Sequence, residues 1–352
     1  MLFGRKKSPL LGIDISSTSI KLLEFGRNGQ RYHVESYGIE PVPSNSIIER
    51  NIVDVQLIGE AISRAVKKSG TRAQTAACAV SGSAVITKVI SMPSNLSEDE
   101  LETQIRFEAD QYIPYPLEEV SLDFEVLGPA ETDPDKVDVL LAASRSDNIE
   151  VRVAALEQGG LKPRIIDVEA FALEKGISFM MRERGGADRG DTIAVVDIGA
   201  TLTSLNVLKD LKIIYTREQT FGGRQLTEEI QRRYGLSYEE AGLAKRRGGL
   251  PDNYVPEVLE PFKQTLALEV NRALQFFYAS RQISTVDQII LAGGCASIPG
   301  IGELVETTTG IRTNIADPFA DMDLSPRVGA QGLRNDAPAL LIACGLALRG
   351  FD

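Results

Sequence analysis

The sequence is short of the residues on which hydrolases and metalloproteins most often depend. Among its 352 residues there is one histidine, His33, so neither a serine-hydrolase triad nor a histidine metal site is expected. The three cysteines, Cys78, Cys295 and Cys344, are widely separated and odd in number. Such spacing predicts reduced thiols in a reducing compartment, not a disulfide framework or a metal site.

Long apolar runs and excess positive charge are also missing. The longest apolar segment, residues 337–348, is interrupted by Pro338 and Gly345, and it falls short of the roughly 18–20 residues of a membrane helix. The 49 acidic and 38 basic residues give a net charge of −11, which argues against nucleic acid as a partner. The basic cluster at residues 5–7 is a weak anchor for anionic lipid. We therefore predict a cytoplasmic protein that reaches a membrane only through its partners.

The length predicts about two domains, and the opening strand pattern occurs twice. An apolar strand at residues 10–15 contains Asp-Ile at its end and is followed by small hydroxyl residues and a second strand at residues 19–25. The same order recurs at residues 192–197 and 204–209. Between the two copies, residues 84–167 are predicted as β-α-β-β-α-β. Helical spacing is predicted at residues 56–69, 97–112, 148–158, 225–234, 238–246, 256–280 and 339–349. These patterns favour an α/β protein with duplicated halves and an inserted module.

Each duplicated hairpin places an aspartate before a turn of small residues. Successive backbone N–H groups in such a turn can converge on an anion, and hydroxyl groups add further donors. Asp14 and Asp197 can hold Mg²⁺ through water, and Lys21 on the outgoing strand can return toward phosphates as a point charge. The turn residues are Ser16, Ser17, Thr18 and Ser19 in the first half and Gly199, Ala200, Thr201 and Thr203 in the second. Two such hairpins facing each other predict a polyphosphate site.

Together with the Gly293-Gly294 turn after a third strand, these motifs resemble the two phosphate loops and the adenosine loop of the actin-like superfamily, which includes heat-shock chaperones and sugar kinases. The resemblance implies an α/β, actin-like (ribonuclease H-like, duplicated) fold with an inserted β-α-β-β-α-β subdomain of the type in the division protein FtsA. Over essentially the whole chain, the sequence is similar to the PilM family of type IV pilus assembly proteins. The segments that carry this similarity are residues 12–21, 107–114, 220–223, 291–296 and 345–349.

The resemblance also implies a division into subdomains. The first-half core comprises residues 10–85, 165–190 and 337–352, and residues 86–164 form the inserted subdomain. The second-half core comprises residues 191–221 and 282–336, and residues 222–281 form a helical subdomain. Residues 184–188 are predicted as a linker.

For the site, the resemblance implies ATP with Mg²⁺ held by the residues named above and by Gly222, Gly223, Lys245, Gly293, Gly294, Cys295 and Ile298. In the superfamily's ribose motif, matched by residues 241–245, Lys245 is kept but Gly242 stands where the carboxylate is expected. Glu169 aligns with the water-positioning acid of filament-forming relatives and is the candidate catalytic residue. Since no second base is evident, hydrolysis is expected to be slow or absent.

The function implied is that of a cytosolic adaptor on the inner-membrane pilus platform. It would grip the short cytoplasmic N-terminal peptide of PilN in a groove beside the inserted module, with the platform protein and the motor ATPases as further contacts. Two alternatives stay open: a polymerising FtsA-like filament protein and a sugar-type kinase. Residues 349–352 do not form the amphipathic membrane-targeting tail expected of FtsA, and no aspartate is convincingly placed for a kinase.

Overall fold

The computed structural model describes residues 9–43, 45–48, 50–130, 133–183, 190–280 and 285–352. The basic cluster at residues 5–7 and the predicted linker at residues 184–188 lie outside these ranges. Within the described ranges, none of the helices combines the length and the apolar character that a bilayer crossing requires.

Strands and helices alternate along the chain, as the sequence pattern predicts. The strands are β1 (Leu10–Ile15), β2 (Ser19–Asn28), β3 (Arg31–Pro41), β4 (Ile47–Ile48), β5 (Asn51–Ile52), β6 (Thr75–Val80), β7 (Val85–Pro93), β8 (Val120–Ala130), β9 (Asp133–Arg145), β10 (Lys162–Val168), β11 (Thr192–Ile198), β12 (Thr203–Lys209), β13 (Lys212–Gln219), β14 (Gln288–Ala292), β15 (Thr313–Ile315) and β16 (Asp323–Leu324). The helices are α1 (Val55–Ser69), α2 (Glu98–Ala109), α3 (Ser146–Gln158), α4 (Glu169–Glu183), α5 (Gly223–Tyr234), α6 (Tyr238–Arg247), α7 (Glu260–Ser280), α8 (Ile301–Thr309), α9 (Ala330–Asp336) and α10 (Leu341–Leu348).

The duplication predicted from the two hairpins is present in the sheets. The first sheet has the order β10-β6-β1-β2-β3-β16, and the second has the order β13-β12-β11-β14-β15. Apart from the short β16, each sheet is an antiparallel meander of three strands continued by two parallel strands. The registers are also equivalent, because Asp14 pairs with Lys21 and Asp197 pairs with Ser204. β1 and β11 are central strands buried on both faces, which explains their nearly continuous apolar sequences.

Helices α4 and α10 lie between the two sheets and pack closely against each other. The apolar face of α4, including Ile177 and Met180, contacts Val195 and Ile290 of the second sheet. α10 packs on the first sheet through its small residues. A Cβ atom on Gly345 would overlap the carbonyl group of Ala172, so the two helices approach at backbone contact. Helices α4 and α10 therefore join the two halves, both as parts of the chain that links them and through their packing.

The outer face of each sheet carries its own helices. In the second half, one stripe of α7 is buried on the sheet through Leu266, Val270, Leu274 and Phe277. In the first half, Ile58 and Ile62 of α1 pack with Ala155 and Leu156 of α3. The resulting arrangement of helices on both faces leaves the carboxyl ends of β1 and β11 free for the loops that follow them.

The inserted module has the predicted element order, but the structure corrects where its last two elements belong. Its own sheet has only three strands, in the order β7-β9-β8, covered on one face by α2. β10 instead pairs in parallel with β6 of the first sheet, with Ile166 opposite Cys78. α3 packs on that sheet because its buried residues continue the first-half core. The pairing of a strand across many residues is not encoded in its local pattern, so the sequence could not make this assignment.

Several helix ends also follow from local chemistry. Ser97 caps α2, and its reciprocal partner is Glu100 in a capping box. The last predicted helix, residues 339–349, begins in the structure at Leu341, after a tighter helical turn at residues 337–340 that includes Pro338. A proline ring is tolerated in a first turn but not in the interior of an α-helix, which accounts for the later start.

Candidate functional site

The loop between β1 and β2 is a closed turn built on Ser16. The backbone N–H of Ser16 donates to the carbonyl of Ser19 at 3.1 Å, and its hydroxyl donates to the same carbonyl at 2.9 Å. Lys21 donates to Asp14 Oδ2 at 2.7 Å and to Ser16 Oγ at 3.1 Å. Ser17 and Thr18 complete the turn, so the structure brings the predicted first-loop residues together. Two of the three N–H bonds of the Lys21 ammonium are thereby occupied.

Burial and pairing have opposite effects on Lys21. Burial acts to lower the pKa of its ammonium, but the Asp14 carboxylate and its hydrogen bond raise the pKa above the ordinary value, and Asp197 and Glu169 add to this. The Asp14 side chain is only 4% exposed. Asp14 therefore serves first as the counter-ion that keeps Lys21 charged at the carboxyl end of β1.

The second loop, between β11 and β12, is tied to the start of α5. Gly223 N–H donates to the carbonyl of Gly199 at 3.0 Å, and Arg224 N–H donates to the carbonyl of Ala200 at 2.8 Å. A Cβ atom at Gly222 would lie 2.6 Å from both of these carbonyl oxygens, so only glycine fits there. The predicted Thr201 lies on this loop, and Thr203 Oγ1 donates to the carbonyl of Phe221 at 2.9 Å. The N–H of Gly223 thus holds the loop and is not free for a ligand.

Asp197 ends β11 as Asp14 ends β1, yet its surroundings differ. Among the described residues, no side chain or backbone group donates a hydrogen bond to its carboxylate. Burial raises the pKa of Asp197, and Lys21 and Arg50 act in the other direction. The side chain is only partly buried, so its carboxylate stays open to a cation or to water, either of which would offset its partial desolvation. Asp197 is therefore a free oxygen ligand between two cationic side chains.

The turn after β14 lies directly against Asp197. β14 pairs in parallel with β11, with Ala292 opposite Asp197, and Gly293 follows with φ +83°. A Cβ atom at Gly293 would overlap Asp197 Oδ1, and it would lie 2.5 Å from the carbonyl oxygen of Ile198. Glycine is required here both for the left-handed backbone and for the close approach. Gly294 then begins a short helical turn at residues 294–297.

Lys245 and Cys295 meet on the other side of this turn. Lys245 donates to the carbonyl of Gly223 at 3.0 Å and to Thr227 Oγ1 at 2.6 Å, and burial lowers the pKa of its ammonium. Cys295 Sγ lies 3.6 Å from the carbonyl of Gly199, and burial raises the pKa of its thiol to about 11. A Cβ atom on Gly242 would meet open space, which is the space a carboxylate would fill.

The predicted Ile298 has a different position from the other residues of its loop. Its backbone N–H donates to the carbonyl of Cys295 at 3.1 Å, but the residue lines a cavity of about 610 Å³. That cavity lies between the start of α8 and residues 334–338. Ile298 therefore does not lie at the turn formed by Gly293. It follows that turn along the chain and lines the cavity instead.

Glu169 lies in the same charged cluster, together with two residues that the sequence did not reveal. Arg50 donates to Glu169 Oε2 and, at 2.8 Å, to Glu218 Oε1. Burial raises the pKa of Glu169 to about 7, Arg50 acts against this, and Asp14 and Asp197 raise it further. No local motif marks Arg50 or Glu218, because the two contacts join residues 119 and 168 positions apart. Only the folded chain brings them together.

The donor set of this cluster fits a hydrated Mg²⁺ and a polyphosphate. Mg²⁺ in nucleotide sites commonly uses one or two carboxylates, with water and phosphate oxygens completing its shell. Asp197 supplies a free carboxylate, Asp14 a neighbouring one, and Lys21 and Arg50 supply positive charge. In the described part of the chain, no three or more histidine, cysteine, aspartate or glutamate side chains converge on one metal position. Asp197 and Asp14 would be the carboxylates for a metal whose other ligands are water and phosphate oxygens.

A second, smaller feature lies where the inserted module joins the first half. It is a cavity of about 100 Å³ with an apolar wall and a polar rim. The guanidinium of Arg145 lies 5.7 Å from the centre of the Tyr115 ring at this rim. The lining residues are Ser83, Ala84, Ile86, Ile113, Tyr115, Val120, Ala143, Ser144, Arg145 and Asn148. Its volume suits a single apolar side chain rather than a whole small molecule.

Comparison with known proteins gives matches over nearly the whole chain. A family model described as type IV pilus assembly protein PilM matches residues 12–351. The solved PilM-PilN type IV pilus biogenesis complex is similar with a TM-score of 0.80 and 29% identity, covering 99% of this chain and 100% of that chain. The ethanolamine utilization protein EutJ from Carboxydothermus hydrogenoformans is similar with a TM-score of 0.55 and 17% identity, covering 96% of this chain and 88% of that chain. Cell division protein FtsA of Bacillus subtilis (strain 168) is 22% identical over 352 residues, covering 88% of this chain and 78% of that protein.

Proposed function

Because the chain belongs to the PilM family of type IV pilus assembly proteins, we propose that it is an ATP-binding adaptor of pilus assembly. Its two equivalent sheets form the actin-like fold that the sequence predicts. In this proposal one site holds a nucleotide between the halves, and a second site holds a peptide of a partner protein.

The proposed nucleotide site lies between the loops that follow β1 and β11. Asp197 and Asp14 hold hydrated Mg²⁺, which neutralises phosphate charge when it is bound, and Lys21 adds a point charge. The phosphates meet the hydroxyl-rich turns at residues 16–19 and 199–203. Gly293, Gly294 and Cys295 form the adenosine side with Lys245 beside it, and Gly222, Gly223 and Ile298 complete the proposed set of nucleotide-binding residues. The observation that carries this proposal is the partly buried Asp197 carboxylate, which accepts no hydrogen bond within the described part of the chain and is close to the cationic side chains of Lys21 and Arg50.

Slow or absent hydrolysis is the second part of the proposal. A group that orients an attacking water needs a free, ionised oxygen. The Glu169 carboxylate is held by the Arg50 guanidinium, and burial raises the pKa of Glu169 to about 7. Both features support a nucleotide that acts as a structural ligand and not as a rapidly consumed substrate.

The proposed partner is the cytoplasmic N-terminal peptide of PilN. Support comes from the similarity to a PilM-PilN complex and from the cavity beside the inserted module. An apolar peptide side chain enters between Ile86, Ile113 and Tyr115, and Arg145 and Asn148 at the rim bind peptide polar groups. Through PilN the protein is recruited to the cytoplasmic face of the inner membrane, where the platform protein and the motor ATPases are further partners.

Calorimetric titration tests both sites together. A synthetic peptide with the sequence of the PilN cytoplasmic N-terminus is titrated into the full chain, with and without Mg·ATP. The adaptor proposal predicts saturable binding of one peptide per chain, and a change of peptide affinity with Mg·ATP would show that the sites are coupled. If the peptide does not bind in either state, the adaptor proposal is wrong. ATP-dependent pelleting in a sedimentation assay would then favour an FtsA-like filament protein.

A further inference from the structure

Arg50 is held in a position that its backbone does not favour. It lies on the turn between the two-residue strands β4 and β5, with φ +66°. For a residue with a side chain, this left-handed conformation is unfavourable and persists only where the surroundings impose it. A function of the Arg50 side chain would account for this conformation.

The side chain of Arg50 connects the two halves of the molecule. One arm of its guanidinium donates to Glu169, the first residue of α4. The other arm donates at 2.8 Å to Glu218 on β13, a strand of the second sheet. All three side chains keep some exposure, 23% for Arg50, 16% for Glu169 and 23% for Glu218, so a ligand entering the cleft can reach them.

Asp197 is near both Arg50 and the proposed adenosine side, because it lies directly against Gly293. Its charge acts on Arg50 and also on the Cys295 thiol, which is beside Lys245. Lys21 approaches Asp197 as well, from the first loop. A nucleotide whose adenosine lies at Cys295 and whose Mg²⁺ is held by Asp197 therefore directs the end of its phosphate chain toward Arg50.

We propose that Arg50 recognises the terminal phosphate of a nucleoside triphosphate, by exchanging one of its two carboxylate partners for phosphate oxygens. The inference rests on the proposed nucleotide site and adds a residue that distinguishes ATP from ADP. A guanidinium matches phosphate through two parallel hydrogen bonds, and a phosphate of greater charge is a stronger acceptor than a carboxylate.

The carboxylates that Arg50 holds are suited to such an exchange. Glu169 faces Arg50, Asp14, Asp197 and Lys21, and burial disfavours its charged form, so it is a weak competitor for the guanidinium. Glu218 belongs to the opposite half, so its release or retention by Arg50 changes how strongly the halves are joined. Binding of a triphosphate is thereby linked to a contact across the cleft.

The experiment compares the affinities of ATP and ADP, each with Mg²⁺, by calorimetry on the full chain. Arg50→Met keeps the aliphatic stem but removes the charge, and it should reduce the ratio of ATP affinity to ADP affinity at least tenfold, chiefly by weakening ATP. Arg50→Lys keeps a charge without the forked donors and should fall between Arg50→Met and the unmodified protein. Glu218→Gln removes a competing carboxylate and should raise the ratio.

Arg64→Met is the matched control, because Arg64 pairs with Glu40 on the surface of the first half at 2.8 Å. It should leave the ratio unchanged. The inference is wrong if Arg50→Met weakens ATP and ADP equally or leaves both unchanged, while the unmodified protein binds ATP. If the unmodified protein binds neither nucleotide, the proposed nucleotide site is wrong and the role of Arg50 falls with it, so the two failures are distinguishable.

Discussion

At the scale of single residues, the site depends on one largely buried ion pair and one partly buried carboxylate without a protein donor. Lys21 and Asp14 compensate each other, with 13% and 4% of their side chains exposed. Removing one member of a buried pair leaves an uncompensated charge, which costs about 3–5 kcal/mol. Asp197 has no such partner, so its removal relieves a desolvation cost. Removal of Lys21 and removal of Asp197 should therefore both weaken ligand binding, but only the removal of Lys21 should lower stability.

Asp197→Ala and Lys21→Ala should each weaken Mg·ATP binding at least tenfold, about 1.4 kcal/mol. Calorimetric titration measures this effect, and Asp138→Ala in the inserted module serves as a control that should bind normally. In thermal unfolding without nucleotide, Lys21→Ala should lower the melting temperature and Asp197→Ala should not. Unchanged Mg·ATP affinity in both variants would contradict the proposal that the loops after β1 and β11 bind the nucleotide.

Glu169 should give the protein a distinct dependence of stability on pH. Its pKa is about 7 in the folded protein and 4.5 for an ordinary glutamate, so between these values the folded state binds more protons than the unfolded state. Stability therefore falls as the pH rises from about 4.5 to about 7, by a few kcal/mol at most. Glu169→Gln should flatten this slope in urea unfolding series.

The control for this experiment is Glu40→Gln, which removes a carboxylate paired with Arg64 but leaves Glu169 in place. It should keep the slope of the unmodified protein. An identical slope in Glu169→Gln would mean that other groups produce the pH dependence, and that Glu169 is ionised throughout this range.

The sequence could identify some of these residues and not others, for a physical reason. Asp14, Lys21 and Asp197 belong to strand ends and hairpins, whose geometry is local, so their spacing carries information about the site. Arg50 and Glu218 have no such local geometry, and their contact depends on how the halves are placed. The missing carboxylate at Gly242 could be read from the sequence, whereas the hydrogen bonds that Lys245 makes in its absence could not.

At the scale of secondary-structure elements, the contact between α4 and α10 is the most demanding packing in the molecule that we describe. Gly176 and Gly345 bring the two helices to backbone contact, and a Cβ atom on Gly176 would lie 2.6 Å from the carbonyl oxygen of Leu341. Because both neighbours are backbone atoms of helices, they cannot move aside as a side-chain end can. The packing of both sheets depends on this contact.

Gly345→Ala should therefore destabilise the protein by about 3 kcal/mol or more, at the upper end of the usual cost of overpacking. The matched control is Gly242→Ala, since Gly242 is helical and a Cβ atom there meets open space. That variant should gain about 0.5–1 kcal/mol from improved helix propensity. Denaturant titration measures the free energy of unfolding of both variants. Equal changes in Gly345→Ala and Gly242→Ala would contradict the close contact between α4 and α10.

Element-scale prediction from the sequence succeeded where periodicity and duplication are strong. The repeated strand pattern predicted two equivalent hairpins, and the helical spacing at residues 256–280 predicted α7. The assignment of α3 and β10 to the inserted module was wrong, because their patterns suit either sheet. Which sheet a parallel strand joins is decided by long-range packing, here by Ala155 and Leu156 on the core of the first half.

At the scale of the whole molecule, the inserted module carries the small cavity at which we propose that the partner peptide binds. Tyr115 and Tyr112 allow this proposal to be tested with matched variants. Both rings are partly exposed, 41% and 38%, but only Tyr115 lines the cavity. Tyr112 instead lies under Lys88, whose ammonium is 4.7 Å from the ring centre.

Tyr115→Ala should weaken binding of the PilN-derived peptide at least tenfold, because it removes the aromatic wall of the anchor cavity. Tyr112→Ala should change the affinity less than threefold. Fluorescence anisotropy of a labelled peptide measures both, with Mg·ATP affinity of each variant as a check that the rest of the protein is intact. Equal losses in both variants would place the peptide elsewhere on the module.

The equal strand orders of the two sheets, with Lys21 in one and Ser204 at the matching register position of the other, bear on how such a molecule arises. Two identical copies of one ancestral half would face each other across a twofold axis and present the same side chain from both sides. A ligand that lacks twofold symmetry cannot contact both copies of that side chain in the same way. Within a single chain the two halves need not be identical, and here the cation is presented by only one of them.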